Sequence, residues 1–205
     1  MRNTLLFGFG FAALATMFVA QAGPPLICHP YNIGPAKSLP WSAGSGWNEP
    51  DPSYNVQNLT SDTLAIIDQG APVLVRMETL RRAVLYGAKD HSAARALLAR
   101  LKEREAATEQ AAKPSAPAYF DYGYLLASLK QIHWLYKDDL SAGLDGYQFV
   151  QKALAVDPDS PEMHFAAAIM TADPPRPSER DTHLAKARAA KSDALLAQNL
   201  ATHFQ

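Results

Sequence analysis

With 205 residues, 19 basic against 20 acidic side chains and a formal charge of −1, the chain is long enough for one domain with a sizeable core. The near-balanced charge excludes a strong general attraction to nucleic acid or anionic lipid. Cys28 is the single cysteine, which excludes an intramolecular disulfide and leaves the fold to be held by packing.

Arg2 precedes an uncharged apolar run over residues 5–20, and Ala20-Gln21-Ala22 follows with a small-x-small pattern. A run of this length would just span a bilayer if retained. The small-residue exit and single flanking charge instead match a cleaved secretory signal over residues 1–22. Lipid attachment at Cys28 is disfavoured, because Pro25-Leu26-Ile27 stands where a small residue must precede the cysteine. The expected mature chain starts near Gly23 in the bacterial periplasm or exterior, with no stable membrane insertion. Residues 1–22 hold one of the 19 basic and none of the 20 acidic residues, so the balance becomes −2 without them.

Residues 23–58 show little periodicity. Pro24, Pro25, Pro30, Pro35, Pro40, Pro50 and Pro52 forbid a continuous helix, since each lacks an amide donor and restricts its predecessor. Leu26, Ile27, Ile33, Leu39, Trp41, Trp47 and Tyr54 make the segment more apolar than a solvated tail. It is expected to lie extended across a helical body, with Trp41 as its main anchor.

Helical patterning fills residues 59–205. Thr60-Ser61-Asp62 supplies cap candidates for a short helix that Gly70 stops. Pro72 opens the next, where Val73, Met77, Leu80 and Val84 follow at spacings of four, three and four. Asp90 or Ser92 starts a third helix striped by Ala94, Leu97, Leu98 and Leu101, and the short connection predicts an antiparallel hairpin. Residues 106–118 read as a fraying helix end and a linker containing Pro114 and Pro117. An aromatic helix, central in position, is expected over residues 119–136. Helices over 146–156 and 160–172 follow, and residues 178–190 and 193–203 make a last pair.

A shift of 34 positions aligns Val150 with Leu184, Ala153 with Ala187, and Asp159 with Asp193. Small residues where helices cross let backbones approach, and larger apolar ones a turn earlier fill the groove. Asp157-Pro158 ends one helix; Ser160 caps the next, with Pro161 in its first turn. On Ala153-Leu154, Asp157-Pro158 and this offset, residues 146–201 resemble tetratricopeptide repeats in a degenerate form. Lys191-Ser192 replaces Asp157-Pro158 at the second junction. The resemblance implies a short all-α array of stacked antiparallel hairpins behind an extended Pro/Trp-containing arm. The run from Cys28-His29-Pro30 to Leu39-Pro40-Trp41 is also similar to exported bacterial proteins of uncharacterised activity with helical C-terminal parts.

Cys28-His29 is the sharpest chemical candidate, since thiolate and imidazole suit copper or zinc. Two adjacent ligands cannot fill a tetrahedral site, so others among His91, His133, His164, His183 and His203 would have to converge. No pair of these has helical metal-site spacing. Arg76, Arg81, Arg82, Arg95 and Arg100 form either a basic strip suited to an anionic groove ligand or a solvated face. In the second case Glu78–Arg82 is an ordinary surface pair worth about tenths of a kcal/mol. No nucleophile elbow, zincin motif, Walker loop or dinucleotide fingerprint occurs.

The expectation is thus a non-catalytic binding or assembly module, without a cofactor, that presents a helical groove to an envelope protein or peptide. Arg76, Arg81, Arg82 and Trp41 are its possible contacts, and the arm itself is a possible occupant of the groove. A small metal-handling or redox protein built on Cys28 and His29 is the alternative, and a hydrolase ranks third.

Overall fold

Apolar side chains at helical spacing become eight helices among the described residues of this computed structural model, which are 23–204 apart from 43, 45, 69, 137, 173 and 191. The expected signal segment, residues 1–22, lies outside them. The helices are α1 (Leu59–Ile67), α2 (Val73–Gly87), α3 (His91–Glu109), α4 (Ala116–Gln131), α5 (Gly146–Val156), α6 (Pro161–Met170), α7 (Pro177–Arg188) and α8 (Ala194–His203). The described residues contain no strand, only an isolated bridge between Ala172 and Pro175. No described helix is long and apolar enough to cross a membrane.

Short polar residues start the helices where the chain leaves extended conformation. Asp90, Asp145, Ser160 and Asp193 each accept a backbone N–H of the following first turn. Two boundaries differ from the pattern reading. α1 begins at Leu59, ahead of the Thr60-Ser61-Asp62 caps, because Asn55 already caps a 3-10 turn that leads into it. α4 begins at Ala116 with Pro117 in its first turn, where the missing amide costs nothing, and gives way at Ile132 to a 3-10 turn over His133–Leu135.

α4 with α5, then α6 with α7, are the most extensively packed pairs, and both are hairpins of sequential helices. The pair expected at 178–190 and 193–203 does not form as such: α7 lies mainly on α6 and touches α8 little. The reason is burial, since α6 is covered from Met163 to Met170 whereas α7 buries only Leu184 and Ala187. Val150 and Ala153 of α5 are wholly buried, as is Ala187 of α7, with Leu184 nearly so. Asp157 and Pro158 lie in the α5–α6 turn, where the Pro158 carbonyl accepts from His164 Nε2 at 2.9 Å.

α2 is the central rod, with every residue but Arg82 buried. Its Arg76 donates to the carbonyls of Ile67 and Ala71 and to Asp121 of α4 at 2.7 Å, so one guanidinium closes the end of α1 and joins three helices. Burial pushes the Asp121 carboxyl up to about 6, with the Arg76 charge pulling the other way. α4 is aromatic and inward-facing, burying Tyr119, Phe120, Tyr122 and Tyr124, while Trp134 beyond its end is exposed.

The α4–α5 crossing is closer than side chains would allow. A Cβ on Gly123 would stand 2.5 Å from the Gly146 carbonyl oxygen, and one on Gly146 would stand 2.2 Å from that of Gly123. Each glycine forfeits about 1 kcal/mol of helix propensity relative to alanine, so both are retained for the contact. Alanine at either position should lower stability by about 1–3 kcal/mol despite the propensity gain, because backbone must move. Thermal unfolding of Gly123→Ala or Gly146→Ala should show a Tm lower by roughly 3–10 °C; an unchanged Tm would mean the helices cross elsewhere.

Candidate functional site

Glu78, Arg81 and Arg82 stand three and four positions apart, on one face of α2. That face is not solvated. Glu78 and Arg81 side chains are completely buried, and Arg82 keeps a fifth of its side-chain surface. Glu78 Oε2 accepts from Arg81 Nε at 2.8 Å and from the backbone N–H of Tyr31 at 3.0 Å. Its Oε1 accepts from Arg81 Nη2 at 2.9 Å and Arg82 Nε at 2.7 Å. The carboxylate is thereby saturated. Burial alone would raise its pKa, but the hydrogen bond and charge of Arg81, joined by Arg82, hold it below the ordinary 4.5. The stability tied to this depression is therefore present above pH 4.5 and lost as pH falls below it.

What covers this face is the N-terminal arm. Arg81 Nη1 donates to the carbonyls of Ile27 and Trp47, both at 3.1 Å, and Arg82 Nη1 donates to that of Leu39. One turn on, the Tyr86 hydroxyl donates to the Pro40 carbonyl at 2.6 Å and accepts from the Asp51 N–H at 3.0 Å. Gln131 of α4 accepts from the Leu26 N–H at 2.9 Å. Asn199 of α8 exchanges two hydrogen bonds with the backbone of Asn32, each 2.9 Å. Helix side chains thus bind main-chain groups of the arm, beside local turn bonds within it such as those of the Ile27 and Cys28 N–H groups to the Pro24 carbonyl, both 3.0 Å.

Apolar side chains fix the register. Leu26, Ile27 and Leu39 are wholly buried and Tyr31 is 4 % exposed, all within the same core cluster as the helices. The expectation that Trp41 is the main anchor is corrected by this. Trp41 is only partly buried and lies as a cover over Arg81 and Arg82, whose guanidinium carbons are 5.1 and 5.6 Å from its ring. Arg76, Arg81 and Arg82 likewise form no open basic strip, and Glu78–Arg82 is a buried pair. Only Arg95 and Arg100 of that set are surface residues, paired with Asp138 and Glu103.

Tyr31 carries the arm to the other end of the chain. Its ring stacks on His203 at 4.8 Å and meets the edge of Phe165, and its hydroxyl accepts from Tyr124 at 2.8 Å. His29 lies edge-on to His203 at 5.8 Å, so one of the histidines that the metal reading required does approach. Yet among the described residues no three His, Cys, Asp or Glu side chains gather as a metal-holding group. Cys28 points against Gly23, where a Cβ would meet its sulfur at 2.7 Å. Burial raises the Cys28 thiol pKa above its ordinary value, against the pull of Arg81. A cleft of about 320 Å³ is lined by Arg188, Ala190, Ala197, Leu200, Ala201 and Phe204.

Compared with known proteins, the chain matches no family model, no curated protein and no solved structure.

Glu78, Tyr86, Gln131 and Asn199 carry the arm without having stood out in the sequence. Glu78 is the one with a legible signal, an acid three and four positions before two arginines on a largely apolar helix. Replacing Arg81 with leucine removes two of the hydrogen bonds to the buried Glu78 carboxylate, leaves it with Arg82 and the Tyr31 N–H, and should cost about 3–5 kcal/mol. Urea unfolding would measure it, and a loss under about 1 kcal/mol, the range of an exposed pair, would contradict the burial.

Proposed function

We propose that this chain is an exported, non-catalytic binding or assembly module that recognises an extended peptide segment of an envelope protein on the face its own arm covers. The supporting observation is the mode of attachment. Gln131, Glu78, Arg81, Arg82, Tyr86 and Asn199 bind the main-chain groups of the arm, and separate apolar seats take Leu26, Ile27, Tyr31 and Leu39. Where proteins hold extended peptides, main-chain hydrogen bonds give affinity and pockets for selected side chains give specificity. The tetratricopeptide-like junction at Asp157-Pro158 belongs to the same reading, as does export through the segment over residues 1–22.

In this account the arm is the resident ligand, and a partner segment competes with it for the seats. The affinity of a competitor is reduced by the fraction of molecules whose face is free. Loosening the arm should therefore raise the affinity for a peptide supplied in trans. A labelled peptide of residues 24–41 should bind the Leu26→Asp/Leu39→Asp variant at least about tenfold more tightly than the unaltered chain, by fluorescence anisotropy. Equal, negligible binding to both would remove the peptide reading. For export, fractionation of the native bacterium should place the protein outside the cytoplasm with an N-terminus near Gly23, and a cytoplasmic chain retaining Met1 would refute it.

A further inference from the structure

α7 is thinly held by apolar contact, since Leu184 and Ala187 are its buried side chains. A chain of polar contacts supplies much of the rest. The Tyr147 hydroxyl of α5 lies 2.7 Å from His183 Nε2, His183 Nδ1 lies 2.8 Å from His164 Nδ1 of α6, and His164 Nε2 lies 2.9 Å from the Pro158 carbonyl. Beside it Arg176, just before α7, pairs with Asp145 at 2.6 Å and lies 4.6 Å over the Tyr147 ring.

The protons in this chain have one consistent order. A carbonyl only accepts, so His164 Nε2 carries hydrogen and, in a neutral ring, His164 Nδ1 accepts. His183 Nδ1 must then donate, His183 Nε2 accepts, and Tyr147 donates. This order holds with both imidazoles neutral. A proton added to both imidazoles would set two N–H groups against each other across 2.8 Å. A proton added to His183 would force Tyr147 to turn its hydroxyl towards nearby Glu179.

We propose that this Tyr147–His183–His164–Pro158 relay is an acid-sensitive latch, and that protonation of its imidazoles frees α7 from α5 and α6 while α2 and α4 stay folded. The surrounding charges set the threshold. His183 is lowered to about 4, first by burial, then by His164 and Lys186, with Glu179 opposing. His164 is lowered by burial and Lys186, against its bond to Pro158 and the charges of Asp157 and Asp159. Folded values below the free 6.5 mean that the latch is fully closed above that pH and weakens as pH falls towards about 4. Glu162 on α6 acts in the opposite sense, since burial and the charges of Asp193 and Asp157 raise its pKa, and its protonation tightens that side. The relay is independent of the peptide-binding reading, and neither fails with the other.

Hydrogen exchange of the full chain at pH 7.5 and pH 5, with rates corrected for intrinsic pH dependence, tests the latch. Protection of residues 177–188 should fall by about tenfold or more at pH 5 relative to that of α2 and α4, where protonation of Asp121 acts in the opposite sense. The H164Q/H183Q variant should lose this differential response, whatever its absolute protection. Equal protection ratios at both pH values, simultaneous loss in all helices, or the full response surviving in that variant would each overturn the proposal. Should the variant not fold, NMR titration of the unaltered chain decides. Midpoints for His164 and His183 below about 5.5 support the latch, and midpoints at or above about 6.5 overturn it.

Discussion

A carboxylate buried in the middle of a helical domain cannot be left unsatisfied, and Glu78 meets that demand with groups from two distant parts of the chain. Two arginines come from its own helix and one N–H from the arm, at Tyr31. The arginines then need acceptors, and they find them in the carbonyls of Ile27, Leu39 and Trp47. A single buried charge therefore dictates that a Pro-rich segment lie across α2. An unpaired charge in that place would cost several kcal/mol, which makes the arm a structural member of the domain as well as a ligand of its surface.

The geometry that follows ties the ends of the described chain together. Asn32 is gripped by Asn199, and Tyr31 stacks on His203, so α8 is held by the arm more than by α7. The helices in between are held by different means. α4 and α5 approach through Gly123 and Gly146, α2 and α4 through the Arg76–Asp121 pair, and α5, α6 and α7 through an imidazole relay. Close backbone contact hardly responds to pH, whereas the relay, Asp121 and His203 all respond to mild acid and the Glu78 cluster only to stronger acid.

Much of the helical body was legible because it obeys local rules. The four-three-four spacing of Val73, Met77, Leu80 and Val84 defines α2, and capping residues stand ahead of α3, α6 and α8. The offset of 34 pairs Ala153 with Ala187, both wholly buried. The site was not legible in the same way. Arg81 and Arg82 look like a solvated face because the segment covering them lies some 34 to 54 positions earlier and carries no periodicity. Trp41 drew attention by size, yet the smaller Leu26, Ile27 and Leu39 are the deeper anchors. His164 and His183 meet across two helices at a separation of 19, which no spacing rule flags.

The central claim is that buried side chains of α2 and α8 fasten the arm, and its most direct measurement is amide exchange within the arm itself. The Tyr31 and Asn32 N–H groups belong to no helix or strand, and their acceptors are the side chains of Glu78 and Asn199. At neutral pH both amides should exchange far more slowly than in an unstructured peptide, because the arm must leave its seats to free them. Exchange of Tyr31 at the rate of an unstructured peptide would show that the arm is not fastened, and the account built on Glu78 would fail.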